Sequence, residues 1–103
     1  MNDPKLTVKN IEDIIAATKG DLSYAERAGL FAAISTIGKN VEEHIDDSMD
    51  GDGYAHEKIT QVVWHVGAAL GFDITNGHSA EQHRSWAYGA CSTLENLLTA
   101  TAD

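Results

Sequence analysis

The sequence predicts an all-α protein: a small four-helix bundle of antiparallel helical hairpins, with a short first helix and a long second one, in a single domain of residues 1–103. Three observations support this class. Apolar side chains recur at helical spacing in four segments, and capping signals or glycines stand at the ends of these segments. No stretch keeps the apolar–polar alternation of a strand for more than a few residues. A chain of 103 residues is also long enough to bury one core.

The first two predicted helices differ in length. The apolar stripe of the first runs from Val8 to Thr18, and Lys19-Gly20 indicates its end, as a last-turn cation followed by a glycine stop. The second is expected to begin at Ser23, since Ser23 and Glu26 have the spacing of a capping box. Its apolar stripe consists of Leu30, Phe31, Ile34, Ile37, Val41 and Ile45.

The third and fourth predicted helices follow an acidic connector. Gly71 is expected to end the third helix, whose stripe is Ile59, Val62, Val63, Val66 and Leu70. After a connector at 72–78, Ser79 and Gln82 form a second capping-box pattern. The fourth helix then carries Trp86, Ala90, Leu94 and Leu97 on one face, and residues 99–103 are expected to fray.

The charge of the chain excludes some functions. Sixteen acids against seven Lys and Arg give a formal charge of −9, and a phosphate backbone or an anionic membrane surface requires a basic face instead. The longest uncharged stretch, 59–72, is too short to span a bilayer, and no secretory signal begins the sequence. We therefore expect a soluble, cytoplasmic protein whose partner is a basic protein surface or a cation.

The connector at 46–57 resembles an EF-hand calcium loop. Oxygen donors stand at the ligand positions and Gly51 occupies the sixth, between two predicted helices. The pattern departs from the EF-hand at Gly53, where a branched aliphatic residue is usual, and at Tyr54, which can act only through water. A second hand is also missing. The resemblance implies a weak calcium-binding site as the alternative function, with the donors Asp46, Ser48, Asp50, Asp52 and Glu57.

The same region favours a protein-docking surface more strongly than an ion site. Seven acids and no Lys or Arg lie between Glu42 and Glu57, and such a concentration steers a basic partner and sets its register. In size and charge the chain is similar to small acidic inhibitors, encoded by phages and mobile elements, that imitate phosphate charge and block nucleic-acid-binding proteins. The acids predicted to contact a partner are Glu42, Glu43, Asp46, Asp47, Asp50 and Asp52.

Trp64 is the seventh predicted partner-binding residue. It lies roughly 140° from the core stripe of the third helix at 100° per residue, among Thr60, Gly67 and Ala68. Tryptophan is enriched among the residues that dominate binding energy. The side chain is therefore covered by another helix of this chain, or it contacts a protein partner or a second copy in a homodimer.

The remaining chemistry-bearing residues do not predict catalysis. None of the five histidines, at positions 44, 56, 65, 78 and 83, pairs with another at the i, i+4 spacing of two metal ligands on one helix. His83 is expected to be a hydrogen-bonded core or boundary residue. Cys91 is expected to be a buried, inert thiol, because nothing near it in the sequence would lower its pKa. We therefore predict a non-enzymatic protein that requires no cofactor.

Overall fold

Four α-helices form a bundle in the computed structural model, which describes residues 3–45, 53–72 and 77–100. The helices are α1 (Pro4–Ala17), α2 (Tyr24–His44), α3 (Tyr54–Ala69) and α4 (Ala80–Ala100). Each helix packs against the next one in the chain, and α4 packs against α1. No strand occurs in the described ranges. The predicted all-α four-helix bundle is confirmed.

The core is built from one face of every helix, as the apolar periodicity predicts. Each fully buried Val, Leu or Ile side chain stabilises the fold by about 1.5–3 kcal/mol. The α2 and α3 stripes are not buried along their whole length, since Leu30, Phe31, Ile37 and Val63 are only partly buried and pack against the core. The most deeply buried aliphatic residues are Val8, Ile11, Ile15, Ile34, Val41, Ile59, Val62, Val66, Leu70, Ala87, Leu94 and Leu98.

On α4, however, the predicted face is partly wrong: Trp86 is 38% exposed and Leu97 is only partly buried, while Ala87, Cys91 and Leu98 are buried beside Ala90 and Leu94. The Trp86 ring lies against His65 and His78 instead.

Local hydrogen bonds fix two helix boundaries where the sequence places them. At the start of α2, the Ser23 hydroxyl accepts from the Glu26 amide at 3.1 Å, and the Glu26 carboxylate accepts from the Ser23 amide at 2.9 Å. At the end of α3, Gly71 has a φ of 89°, and the Phe72 amide donates to the Gly67 carbonyl at 2.9 Å. This is a Schellman ending, which requires the left-handed conformation that glycine supplies.

The predicted end of the first helix is wrong by two residues. The helix stops at Ala17, so Lys19 lies beyond its last turn and Gly20 is not its left-handed cap. The Thr18 hydroxyl donates to the Ile15 carbonyl at 2.7 Å, and the Thr18 amide donates to the same carbonyl at 3.2 Å. A threonine hydroxyl can compete with the helical backbone hydrogen bonds in this way. The prediction considered only Lys19 and Gly20 as signals for the helix end.

Helices α2 and α3 form an antiparallel hairpin, and two glycines fix its register. A Cβ atom at Gly67 would stand 2.8 Å from Phe31 Cε1, early in α2. A Cβ atom at Gly38 would stand 2.7 Å from Val63 Cγ2, so later residues of α2 meet earlier residues of α3. The last turn of α2 and the first turn of α3 therefore lie at the same end of the hairpin.

Candidate functional site

The predicted partner-binding residues fall into two groups. Glu42 and Glu43 are exposed in the last turn of α2, and Trp64 is half-buried in the middle of α3. The other four, Asp46, Asp47, Asp50 and Asp52, lie outside the described residues. Of the predicted calcium ligands only Glu57 is described, exposed in the first turn of α3. Ser48 and the three aspartates of that set lie outside, so the calcium hypothesis stays a prediction.

A groove between α2 and α3 brings Glu42 and Trp64 together. It has a volume of about 560 Å³ and a mainly apolar lining. Concave apolar surfaces with a few polar groups at the edge are where proteins usually bind ligands and partner side chains. The residues that line it are Phe31, Ser35, Gly38, Lys39, Glu42, Thr60, Val63, Trp64, Gly67 and Phe72.

The two buried glycines form the base of this groove. Because neither has a side chain, the Val63 methyl group can pack against Gly38 and the Phe31 ring against Gly67. Any larger residue at either position would push the facing side chain outward. Gly67, which the sequence places beside Trp64, thus allows close packing of α2 on α3. Trp64 itself lies at the rim of the groove.

The two ends of the groove differ in chemistry. Phe72 forms one end, where its ring packs 5.5 Å from the Phe31 ring and 5.9 Å from the Tyr24 ring. The Arg27 guanidinium lies 5.9 Å from the Phe72 ring, and its Nη1 donates to the Leu70 carbonyl at 3.1 Å. Glu42, in the last turn of α2, stands at the other end. The groove is therefore aromatic at one end and negatively charged at the other.

On its other side Trp64 belongs to a cluster of indole and imidazole rings between α3 and α4. Its ring centroid lies 4.8 Å from His65 and 5.4 Å from His83. Trp86 lies 5.3 Å from His65, 5.5 Å from His83 and 4.7 Å from His78. Trp64 is thus partly covered by its own chain, and it also forms the ridge between the α2/α3 groove and the α3/α4 face.

Two histidines make direct contact inside this cluster. His65 Nδ1 and His83 Nδ1 are 3.0 Å apart, so one imidazole donates its proton and the other accepts it. His83 is 1% exposed, which confirms the prediction of a hydrogen-bonded core position. Burial, and then the charge of His83, lower the pKa of His65 below its ordinary value. A proton on both rings is unfavourable at this distance.

A second open groove adjoins the histidine pair. It has a volume of about 630 Å³ and runs between α3 and α4, with Trp64 and His65 on one side and Trp86 on the other. Trp86 is 38% exposed. Sequence reasoning missed the pair because it searched for ligand spacing within one helix, and these residues are on two. The signal that was available is that His83 follows the apolar face of α4.

Cys91 and the arrangement of the possible metal ligands can be described for part of the chain. Cys91 is buried, and burial together with the charges of Glu12 and Glu95 raises the pKa of its thiol to about 12. The prediction that Cys91 is buried is confirmed, and that its thiol is inert stays a prediction. Across residues 3–45, 53–72 and 77–100, no three His, Cys, Asp or Glu side chains stand close enough to hold a metal ion together.

Comparisons with known proteins do not constrain the function. No protein-family model, curated protein or solved structure matches this chain. Within the described part of the chain, none of the helices combines the length and the apolar character that crossing a membrane requires. The two grooves and the ring cluster between them are therefore the candidate functional sites.

Proposed function

We propose that this chain is a non-enzymatic protein-interaction module whose α2/α3 groove binds a basic segment of a protein partner. The observation that carries the proposal is that Glu42 and Trp64, two residues predicted independently to contact a partner, line the same groove. An apolar side chain of the partner fills the groove against Trp64, and a Lys or Arg beside it pairs with Glu42.

The charge of the chain supports a basic occupant. The chain carries a formal charge of −9, and Glu42, Glu43 and Glu57 are exposed at one end of the α2–α3 hairpin. Lys39 also lines the groove, one turn before Glu42. It repels a partner cation near the middle of the groove and so favours the Glu42 end. Such complementarity raises the association rate and fixes the orientation of the partner.

The biological role that best suits this size and charge is inhibition of a basic protein. A partner that binds nucleic acid presents a positive surface, and an acidic protein docked on that surface excludes the phosphate backbone. We propose this role, of the kind encoded by phages and mobile elements, for a chain acting in the cytoplasm. The calcium-binding alternative gains no support from the described residues.

A peptide-display experiment tests the binding proposal directly. The full chain is immobilised and used to select from a library of short random peptides, beside the variant Thr60→Trp, whose exposed position lines the groove. We expect enriched peptides to combine an apolar residue with Lys or Arg, to bind less tightly at high salt, and to lose at least tenfold in affinity for Thr60→Trp.

Matched charge variants separate a docking surface from general attraction. Glu42→Gln is expected to lower the affinity for a selected peptide by about two- to fivefold, the range for an exposed ion pair. Glu12→Gln removes the same charge from an exposed position of α1 and should leave affinity unchanged. Equal losses in both variants, or full affinity in Thr60→Trp, would overturn the assignment of the groove. Concentration-dependent dimerisation abolished by Thr60→Trp would assign it to a homodimer instead.

A further inference from the structure

The His65–His83 pair has the arrangement of two metal ligands contributed by neighbouring helices. His65 is half-buried on α3, and His83 is fully buried on α4. Their Nδ1 atoms, 3.0 Å apart, face each other across the helix interface. The rings of Trp64 and Trp86 lie within 5.5 Å of both imidazoles, measured between ring centroids. The packing therefore holds the two rings in place before any ligand arrives.

The separation of the two nitrogens fits a shared metal ion as well as a shared proton. A metal at about 2.05 Å from each nitrogen, the usual Zn–imidazole distance, would subtend an angle of about 94° across 3.0 Å. That angle lies at the octahedral and square-planar value and below the tetrahedral one. A metal ion can therefore replace the bridging proton at this separation once the two rings turn so that each Nδ1 lone pair points at the metal instead of at the other nitrogen.

The protonation state of the pair also suits a metal. Imidazole binds metals in its neutral form, and burial lowers the pKa of His65, which favours that form. In the hydrogen bond one Nδ1 must carry a proton while the other accepts it. With a metal ion in place of that proton, both Nδ1 atoms donate a lone pair. The overall negative charge of the chain favours a cation further.

We propose that His65 and His83 form a site for a divalent transition metal ion such as Zn²⁺ or Cu²⁺, bound through both Nδ1 atoms. Imidazole nitrogen selects this class of metal over Ca²⁺ and Mg²⁺, which take oxygen ligands. No third His, Cys, Asp or Glu joins the pair among the described residues, and the α3/α4 groove beside His65 gives water access to the pair. Neither histidine lines the peptide groove of the proposed function.

The two tryptophans of the chain provide the assay. Trp64 and Trp86 are its only indoles, and both border the pair, so Cu²⁺ bound there should quench most of the intrinsic fluorescence. The full chain, freed of metal, is titrated with CuCl₂ in a weakly competing glycine buffer. We expect saturable quenching with a stoichiometry of one, reversal by excess ZnCl₂, and an electron paramagnetic resonance spectrum with coupling to two imidazole nitrogens.

Two sets of variants decide whether this pair is the site. His65→Gln keeps a hydrogen-bonding group at a half-buried position, and it should weaken Cu²⁺ and Zn²⁺ binding at least tenfold while circular dichroism shows an intact fold. The double variant His44→Gln, His56→Gln removes two exposed histidines from elsewhere and should bind within twofold of the parent. The proposal is overturned if His65→Gln binds normally, if the double variant loses binding, or if no metal binds at 100-fold excess.

Discussion

Gly38 provides the sharpest test of the packing that shapes the α2/α3 groove. Replacing a glycine inside a helix by alanine stabilises it by about 1 kcal/mol through helix propensity alone. At Gly38, however, the added Cβ would stand 2.7 Å from Val63 Cγ2, and forcing atoms into a packed interface costs about 1–3 kcal/mol. Val63 has one strongly preferred rotamer in a helix and cannot easily turn away. We expect Gly38→Ala to be destabilised by about 0–2 kcal/mol in net terms.

Gly29 is the matched control in the same helix. A Cβ atom there meets nothing within 4 Å, so Gly29→Ala should gain nearly the full propensity term, about 0.5–1 kcal/mol. The two variants are therefore expected to differ by about 1–3 kcal/mol, and each kcal/mol corresponds to about 4–8 °C in Tm for a domain of this size. Urea unfolding followed by far-ultraviolet circular dichroism measures the difference, provided the slopes agree. Equal stabilisation by both substitutions would refute the close contact between Gly38 and Val63.

Two further predictions concern a helix cap and the cysteine. Ser23→Ala removes the hydroxyl that accepts from the Glu26 amide and should cost about 1 kcal/mol in the free energy of unfolding, measured by urea denaturation; an unchanged midpoint would show that the capping box contributes nothing. With a folded-state thiol pKa of about 12, Cys91 holds almost no thiolate at pH 8. Its reaction with a thiol reagent should be on the order of 10³-fold slower in the folded chain than in urea, and a fast reaction without denaturant would contradict its burial.

The features that the sequence predicts correctly depend on residues close together in the chain. Ser23 and Glu26 are three residues apart, and Gly71 ends its helix through bonds within its own last turn. The apolar stripes are visible for the same reason, since periodicity needs only one helix. The wrong boundary is the end of the first helix, which the pattern predicts at Lys19. The Thr18 hydroxyl donates to the Ile15 carbonyl, which would accept from the Lys19 amide if the helix continued.

The contacts that define the candidate sites depend instead on how helices are placed against each other. His65 and His83 are 18 residues apart, and their pairing requires a particular rotation and offset of α3 relative to α4. Periodicity assigns each histidine to a face but does not fix that offset. The same holds for Glu42 and Trp64, whose shared groove follows from the packing of Phe31 on Gly67 and of Val63 on Gly38.

Trp64 connects the two proposed sites physically. One side of its indole lines the groove that contains Glu42, and the other lies against the imidazoles of His65 and His83. A metal ion that moves the indole would therefore change the shape of the peptide groove. Thermodynamic linkage requires that any such effect be reciprocal: the factor by which metal alters peptide affinity is the factor by which peptide alters metal affinity. Substituting Trp64 disturbs both sites at once, so it cannot reveal which site a loss of binding came from. Glu42 and His65 each touch one site alone, and comparing their variants with and without metal separates two independent surfaces from one coupled one.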